Sequence, residues 1–146
     1  MQKFTYTRKV IDEALRLYPP GWLMTRKAIR DDHLGDYFVP AGTEIYISPY
    51  YIQRNPRFWQ APDRFEPDRF NEGSLGQSSM TMLPFSVGPR NCIGEHLARM
   101  EMQIHVMMVG KRLRLRYIES EPPVLAAGVN LLSAHDFVMT PELKSR

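Results

Sequence analysis

Six of the chain's twelve prolines fall within positions 48–92, at 49, 56, 62, 67, 84 and 89. Proline has no amide hydrogen and a fixed φ, so this spacing rules out any long helix or inner strand through that stretch. The same stretch carries the aromatics Tyr50, Tyr51, Phe58, Trp59, Phe65, Phe70 and Phe85. Tethers and disordered tails lack such anchors, so the pattern predicts an ordered, packed meander. The tetrapeptide Pro-Asp-Arg-Phe occurs twice within it, at 62–65 and 67–70. Two copies five residues apart do not make a repeat architecture.

Regular elements are expected on either side. Val10, Ile11, Ala14, Leu15 and Tyr18 recur at helical spacing over 7–17, and Pro19-Pro20 ends the run. Segments 37–39 and 45–47 flank Pro40-Ala41-Gly42, which predicts a hairpin. A second helix is expected over 94–110, with Leu97, Met100, Ile104 and Met107/Met108 forming a stripe suited to core packing. Residues 111–117 alternate basic and apolar side chains, as a strand with one wet face does, and short strands are expected near 129–132 and 137–139. The chain is therefore mixed α and β. At 146 residues it is one domain or one piece of a larger one.

Several function classes drop out. A single cysteine, Cys92, excludes an intramolecular disulfide framework. No run approaches the ~18 apolar residues of a membrane helix, and residues 1–20 lack a signal-peptide layout. The net charge of +3 is local: positions 84–116 hold six basic and two acidic residues. Such a face attracts an anionic partner. No zinc-finger spacing or RNA-binding aromatic motif accompanies it, so nucleic acid is not expected. His33, His96, His105 and His135 form no His-Glu-x-x-His pair, Ser86 lacks the Gly-x-Ser-x-Gly elbow, and no Cys-x-x-Cys-His occurs for covalent haem attachment.

Chemistry concentrates in Phe85-Ser86-Val87-Gly88-Pro89-Arg90-Asn91-Cys92-Ile93-Gly94. The lone thiol stands between a Gly-Pro turn and a helix start, near free N–H groups where the helix dipole favours negative charge. Gly88 and Gly94 let something large approach the backbone. On residue type alone, a buried structural cysteine is the competing reading. Glu13 and Arg16, three apart on the first helix, can pair side by side. The apolar stripe through Val10, Ala14 and Tyr18 puts both on the opposite, wet face.

The ten residues 85–94 resemble the haem-binding signature of the cytochrome P-450 family, Phe-x-x-Gly-x-Arg-x-Cys-x-Gly, at every fixed position. Glu13-Ala14-Leu15-Arg16 resembles that family's Glu-x-x-Arg motif, and Phe65-Glu66-Pro67-Asp68-Arg69-Phe70 its Pro-Glu-Arg-Phe element, with Asp68 in the glutamate position. Helix, Pro-Pro break, β-hairpin, meander, cysteine-ligand loop, long helix and small terminal β-sheet follow one another in the family's order. The resemblance implies that residues 1–146 are the C-terminal haem-ligating portion of the mainly α cytochrome P-450 fold, a partial domain.

What the resemblance implies for single residues is specific. Cys92 would be the axial ligand of haem b (iron protoporphyrin IX), its thiolate pushing electron density toward O–O cleavage. Arg90 and Arg26 would pair with haem propionates, Phe85 would pack beside the sulfur, and Gly88 and Gly94 would give the haem room. The meander would cover Glu13 and Arg16 and supply Arg69 as a third partner, with Arg64 of the first tetrapeptide copy as a rival. Segments 20–24 and 126–129 resemble substrate-contacting regions, and plain loops would read the same.

The family's oxygen-activation helix and the roof over the haem precede these motifs, and Met1 falls just before the Glu-x-x-Arg helix. The expectation is therefore a fragment, a truncated product or half of a split enzyme, inactive alone, with no catalytic residue beyond the haem ligand. One function is the haem-binding part of a monooxygenase that inserts one oxygen atom from dioxygen into an apolar organic substrate. The alternative is a truncated, non-catalytic haem-binding or interaction module. Electrons from NAD(P)H would arrive only indirectly, through a flavoprotein reductase or a ferredoxin; the Gly-Pro-Arg-Asn-Cys form and long meander favour the reductase. Other implied partners are a small apolar substrate and a missing N-terminal part of the same enzyme. Segment 84–116, with Arg99 and Lys111, would be the electron-donor docking face. The expected location is cytoplasmic, or the cytosolic face of a membrane if an absent N-terminal anchor exists.

Overall fold

The computed structural model describes residues 5–71, 79–119 and 123–144. Helix α1 (Thr5–Leu17) is followed by strands β1 (Met24–Lys27), β2 (Asp32–Leu34), β3 (Tyr37–Val39) and β4 (Glu44–Ile47) and by the short helix α2 (Pro49–Ile52). The meander then runs through 3₁₀ turns at Pro67–Phe70, Ser79–Thr81 and Gly88–Arg90 into the long helix α3 (Glu95–Arg112). Strands β5 (Leu113–Tyr117), β6 (Leu125–Ala127), β7 (Leu131–Ser133) and β8 (Met139–Leu143) close the chain. No helix among the described residues is long and apolar enough to cross a membrane.

The strands form antiparallel two-stranded ribbons, β1 with β4, β2 with β3, β5 with β8 and β6 with β7. The hairpin expected between 37–39 and 45–47 is thus not formed. Tyr37 pairs with Leu34 across the two-residue Gly35-Asp36 turn, and Ile47 pairs with Met24. Gly35 has φ 60, a conformation that glycine adopts without a Cβ clash, so the tight turn closes there. Pro40-Ala41-Gly42 carries the chain from one ribbon to the next, with Gly42 N–H donating to the Ala28 carbonyl at 2.7 Å. Isolated two-stranded ribbons are marginal in water, and cross-links hold these in place. Leu131 N–H donates to the Pro20 carbonyl at 2.9 Å, and Lys144 N–H to that of Arg112 at 3.0 Å.

The apolar core is small: Ile11, Leu15, Leu17, Val39, Trp59 and Leu83. Around it lie fully buried polar groups, Glu13, Arg16 and Gln53. The wet face that the apolar stripe assigned to Glu13 and Arg16 is therefore the most deeply buried part of α1, whereas Tyr18 is 51% exposed. The meander packs over that face and satisfies its charges, so counting apolar residues alone finds the buried Ile11 and Leu15 side and misses the charged one.

A second correction concerns α3. Leu97, Met100, Ile104 and Met108 are exposed, and no residue of α3 is buried. Within this chain α3 packs against α1 and β5, which can cover one flank of an 18-residue helix and no more.

Candidate functional site

The covered face of α1 meets the meander through charged forks. Arg16 Nε donates to Glu13 Oε2 at 2.7 Å and Nη2 to Oε1 at 3.0 Å. Its Nη1 donates to the carbonyls of Gln53 and Pro62, both at 2.7 Å, and Nη2 also to that of Arg64 at 3.2 Å. All five guanidinium hydrogens are used. The guanidinium also lies 5.2 Å from the Trp59 ring centroid, a cation–π distance. Glu13 Oε1 accepts further bonds from the Glu66 amide at 2.8 Å and Arg69 Nε at 3.0 Å.

Glu13, Arg16 and Arg69 thus stand together, and the two tetrapeptide copies separate in role. Arg69 continues to the Gln60 carbonyl at 2.9 Å and to Glu66 Oε2 at 3.3 Å. Arg64 offers its carbonyl inward while its side chain, 75% exposed, reaches Glu66 at 3.8 Å. Arg69→Ala should therefore lower the unfolding free energy by several kcal/mol, because Glu13 loses a buried partner. Arg64→Ala should cost ~0–1 kcal/mol, as exposed pairs do. Paired urea titrations check this, and equal shifts would remove the distinction.

Beyond the core the meander makes the cysteine loop. Two left-handed residues shape it, Ser86 at φ 66 and Gly88 at φ 69. For Ser86 this costs ~1–2 kcal/mol, strain of the kind that gathers at functional sites. Cys92 N–H closes the loop onto the Phe85 carbonyl at 2.8 Å, and Asn91 N–H bonds to the Gly88 carbonyl at 3.0 Å. The Cys92 thiol is free and exposed, two residues before Gly94, which caps α3. A Cβ on Gly88 would meet open space, and one on Gly94 would lie 3.9 Å from the Cys92 sulfur. The cysteine is thus no buried structural thiol.

Arg90 is exposed beside it. Arg26 lies exposed on β1, donating to the Thr25 carbonyl at 2.8 Å. Phe85 is half-buried, its ring centroid 5.1 Å from the Arg99 guanidinium. Segments 20–24 and 126–129 come together, since Trp22 Nε1 donates to the Gly128 carbonyl at 2.8 Å.

Sequence reasoning missed two further groups. Gln53, fully buried, donates from Nε2 to the Leu15 and Arg16 carbonyls at 3.1 and 2.9 Å and accepts from the Leu83 amide at 2.6 Å. Its partners lie 30 to 38 residues away, so no local pattern announces it. Arg99, expected on a docking face, is engaged inside the chain. Its Nη1 donates to Asp12 and its Nε to Glu95 Oε1 at 2.9 Å. The four-residue spacing of Asn91, Glu95 and Arg99 was the available signal. The Asn91 and Arg99 side chains hold the Glu95 carboxyl below its usual range.

The cytochrome P450 family model matches residues 1–141. Over 142 residues the chain is 37% identical to cytochrome P450 4V2 of Mus musculus, covering 97% of this chain and 26% of that protein. Over 110 residues it is 41% identical to cytokinin hydroxylase of Arabidopsis thaliana, covering 75% of this chain and 21% of that one. The crystal structure of the cytochrome P450DA heme domain superposes with a TM-score of 0.88 at 22% identity, covering 95% of this chain and 31% of that one. The chain spans about a quarter of the length of the curated relatives it matches.

Proposed function

This chain belongs to the cytochrome P450 family, and from that premise we propose that it is the haem-ligating part of a monooxygenase, with Cys92 as the axial ligand. The observation that carries the reading is the free, exposed thiol on a strained loop at the N-terminal end of α3. Among the described residues no cluster of three or more metal-binding side chains occurs. A lone sulfur would be enough for the protein to hold a haem iron, since the porphyrin brings the iron's nitrogen ligands with it. The open space above Gly88 and the slender Gly94 beside the sulfur suit a broad, flat group.

When bound, haem supplies the activation of dioxygen by which one oxygen atom is inserted into an organic substrate. The chain's own residues divide the supporting tasks. Cys92 offers a thiolate near the N-terminus of α3, whose dipole favours the negative charge. Phe85 keeps water from one side of the sulfur, which tunes the ligand's electronic character. Arg90 and Arg26 offer exposed cations to the propionates, and the joined segments 20–24 and 126–129 offer contacts to an apolar substrate. The hydroxylase name carried by the Arabidopsis relative supports oxygen insertion as the reaction class.

Electron delivery would come from a flavoprotein reductase or a ferredoxin meeting the basic side of the loop. Arg99 is spent on Asp12 and Glu95, so the exposed positive charge of segment 84–116 lies on Arg90 in the loop itself and on Lys111, Arg112 and Arg114 at the far end of α3.

Cys92→Ser in the intact protein tests the central assignment. The red-shifted Soret band of the reduced carbonyl complex should vanish while the melting temperature, measured without haem, stays within a degree or two, since the thiol is exposed and unpaired in packing. An unchanged band would falsify Cys92 as the ligand.

A further inference from the structure

We infer that Arg99 is a positioning residue for the cysteine loop, holding both flanks of Cys92 against α1 through a hydrogen-bonded chain and a ring contact. The inference rests on the reading of Cys92 as the axial ligand.

Arg99 lies two turns beyond Cys92 along the chain. Its Nε donates to Glu95 Oε1 at 2.9 Å, and the other oxygen of Glu95 accepts from Asn91 Nδ2 at 2.9 Å. Asn91 immediately precedes the cysteine, so this chain fixes one flank. The other flank is Phe85, whose carbonyl takes the Cys92 amide at 2.8 Å and whose ring lies 5.1 Å from the Arg99 guanidinium. From the opposite end of the fork, Nη1 bonds Asp12 of α1 at 2.5 Å. One planar cation therefore ties loop, helix start and α1 into a single unit.

An ordinary surface pair does not have this form. The Arg99, Glu95 and Asp12 side chains retain 28%, 24% and 13% of their exposure. Burial disfavours the charge on Arg99, yet the bonds to Asp12 and Glu95 outweigh it and hold the guanidinium above its usual value. Arg8 also approaches Asp12, at 3.8 Å, but its side chain is 71% exposed. The flat fork matters, since it serves two carboxylates edge-on while its face meets the ring. Without it, the Phe85 ring loses its cation and the Glu95 carboxylate that holds Asn91 loses the donor that fixes it, so both flanks of Cys92 are freed to move.

The test uses the intact, haem-loaded protein, compared at equal haem content. Arg99→Met and Arg99→Lys are set beside Asp12→Asn, which cuts only the α1 arm, and Arg116→Ala, which removes an exposed pair with Glu142. The first reading is the rate at which the reduced carbonyl band passes from the red-shifted thiolate form to the unshifted form. For Arg99→Met it should rise about tenfold, equivalent to ~1.4 kcal/mol of lost support. Arg99→Lys should recover part of this, because it keeps the charge without the fork. Asp12→Asn should lower the melting temperature with a smaller change in that rate, and Arg116→Ala should change neither. The second reading is the reduction potential, where adding Phe85→Leu to Arg99→Met should shift it no further than either change alone.

Wild-type conversion rates in Arg99→Met, or potential shifts that simply sum, would overturn the inference. If Arg99→Met does not yield holoprotein, Arg99→Lys decides, and a rate equal to wild type would overturn it. A wild-type protein with no Cys92-dependent band would overturn the axial-ligand reading itself, and this inference with it.

Discussion

Glu13→Ala should leave a protein that scarcely holds haem, although Glu13 is on α1 and not in the cysteine loop. Two oxygens of one fully buried carboxylate accept from Arg16 Nε and Nη2, Arg69 Nε and the Glu66 amide. Removing it leaves the fully buried Arg16 guanidinium without its counter-charge and Arg69 with Glu66 as its remaining carboxylate. Breaking a buried pair from one side costs ~3–5 kcal/mol, a large share of the ~5–15 kcal/mol by which domains are stable. Arg16→Ala should cost as much, because the carbonyls of Gln53, Pro62 and Arg64 lose their donor along with Glu13. In the intact protein, haem content per chain and the urea midpoint should fall together for both variants. If Glu13→Ala keeps a normal midpoint and normal haem content, the cluster does not hold α1 to the meander.

Gln53→Leu should be nearly as damaging, for a different reason. The substitution conserves approximate volume and adds hydrophobicity, which by area alone would be harmless. Yet the Gln53 amide serves two carbonyls at the C-terminal end of α1 and the Leu83 amide on the far side of the meander. Carbonyls in the last turn of a helix have no partner within it, so they depend on such caps. Each buried group left unpaired costs ~1–3 kcal/mol, and three are at risk. Hydrogen exchange gives a local reading: the Leu83 amide should lose protection in Gln53→Leu by a larger factor than amides of α3. Unchanged protection at Leu83 with a wild-type urea midpoint would show that water replaces the side chain at no cost.

These two sites also mark where sequence reasoning stops. The meander and the two long helices were legible because proline placement and 3.6-residue periodicity are local properties. The face of α1 was not, since periodicity counts apolar residues and a buried ion cluster has the same signature as a solvated face. Only the family motif distinguishes them, by placing Glu13 and Arg16 in a named pair. The strand pairing failed through a misread turn. Pro40-Ala41-Gly42 drew the assignment, while Gly35-Asp36, a two-residue hairpin signal in plain view, closes β2 onto β3. The stripe on α3 was correctly periodic and wrongly buried, because periodicity states which side is apolar and not whether this chain supplies a cover. Gln53 and the Arg99 hub depend on partners up to 87 residues distant. Distances of that kind belong to the folded shape.

The forks of Arg16 and Arg69 address main-chain oxygens, at Gln53, Gln60, Ala61, Pro62 and Arg64. A carbonyl is common to all residues, so what these arginines recognise is a spacing along the chain and not a set of letters. Drift in side-chain identity across 60–64 leaves the acceptors in place, while insertion or loss of one residue moves several of them at once. Segment 60–64 can thereby change its side chains without losing these bonds, and what the two arginines hold it to is its length.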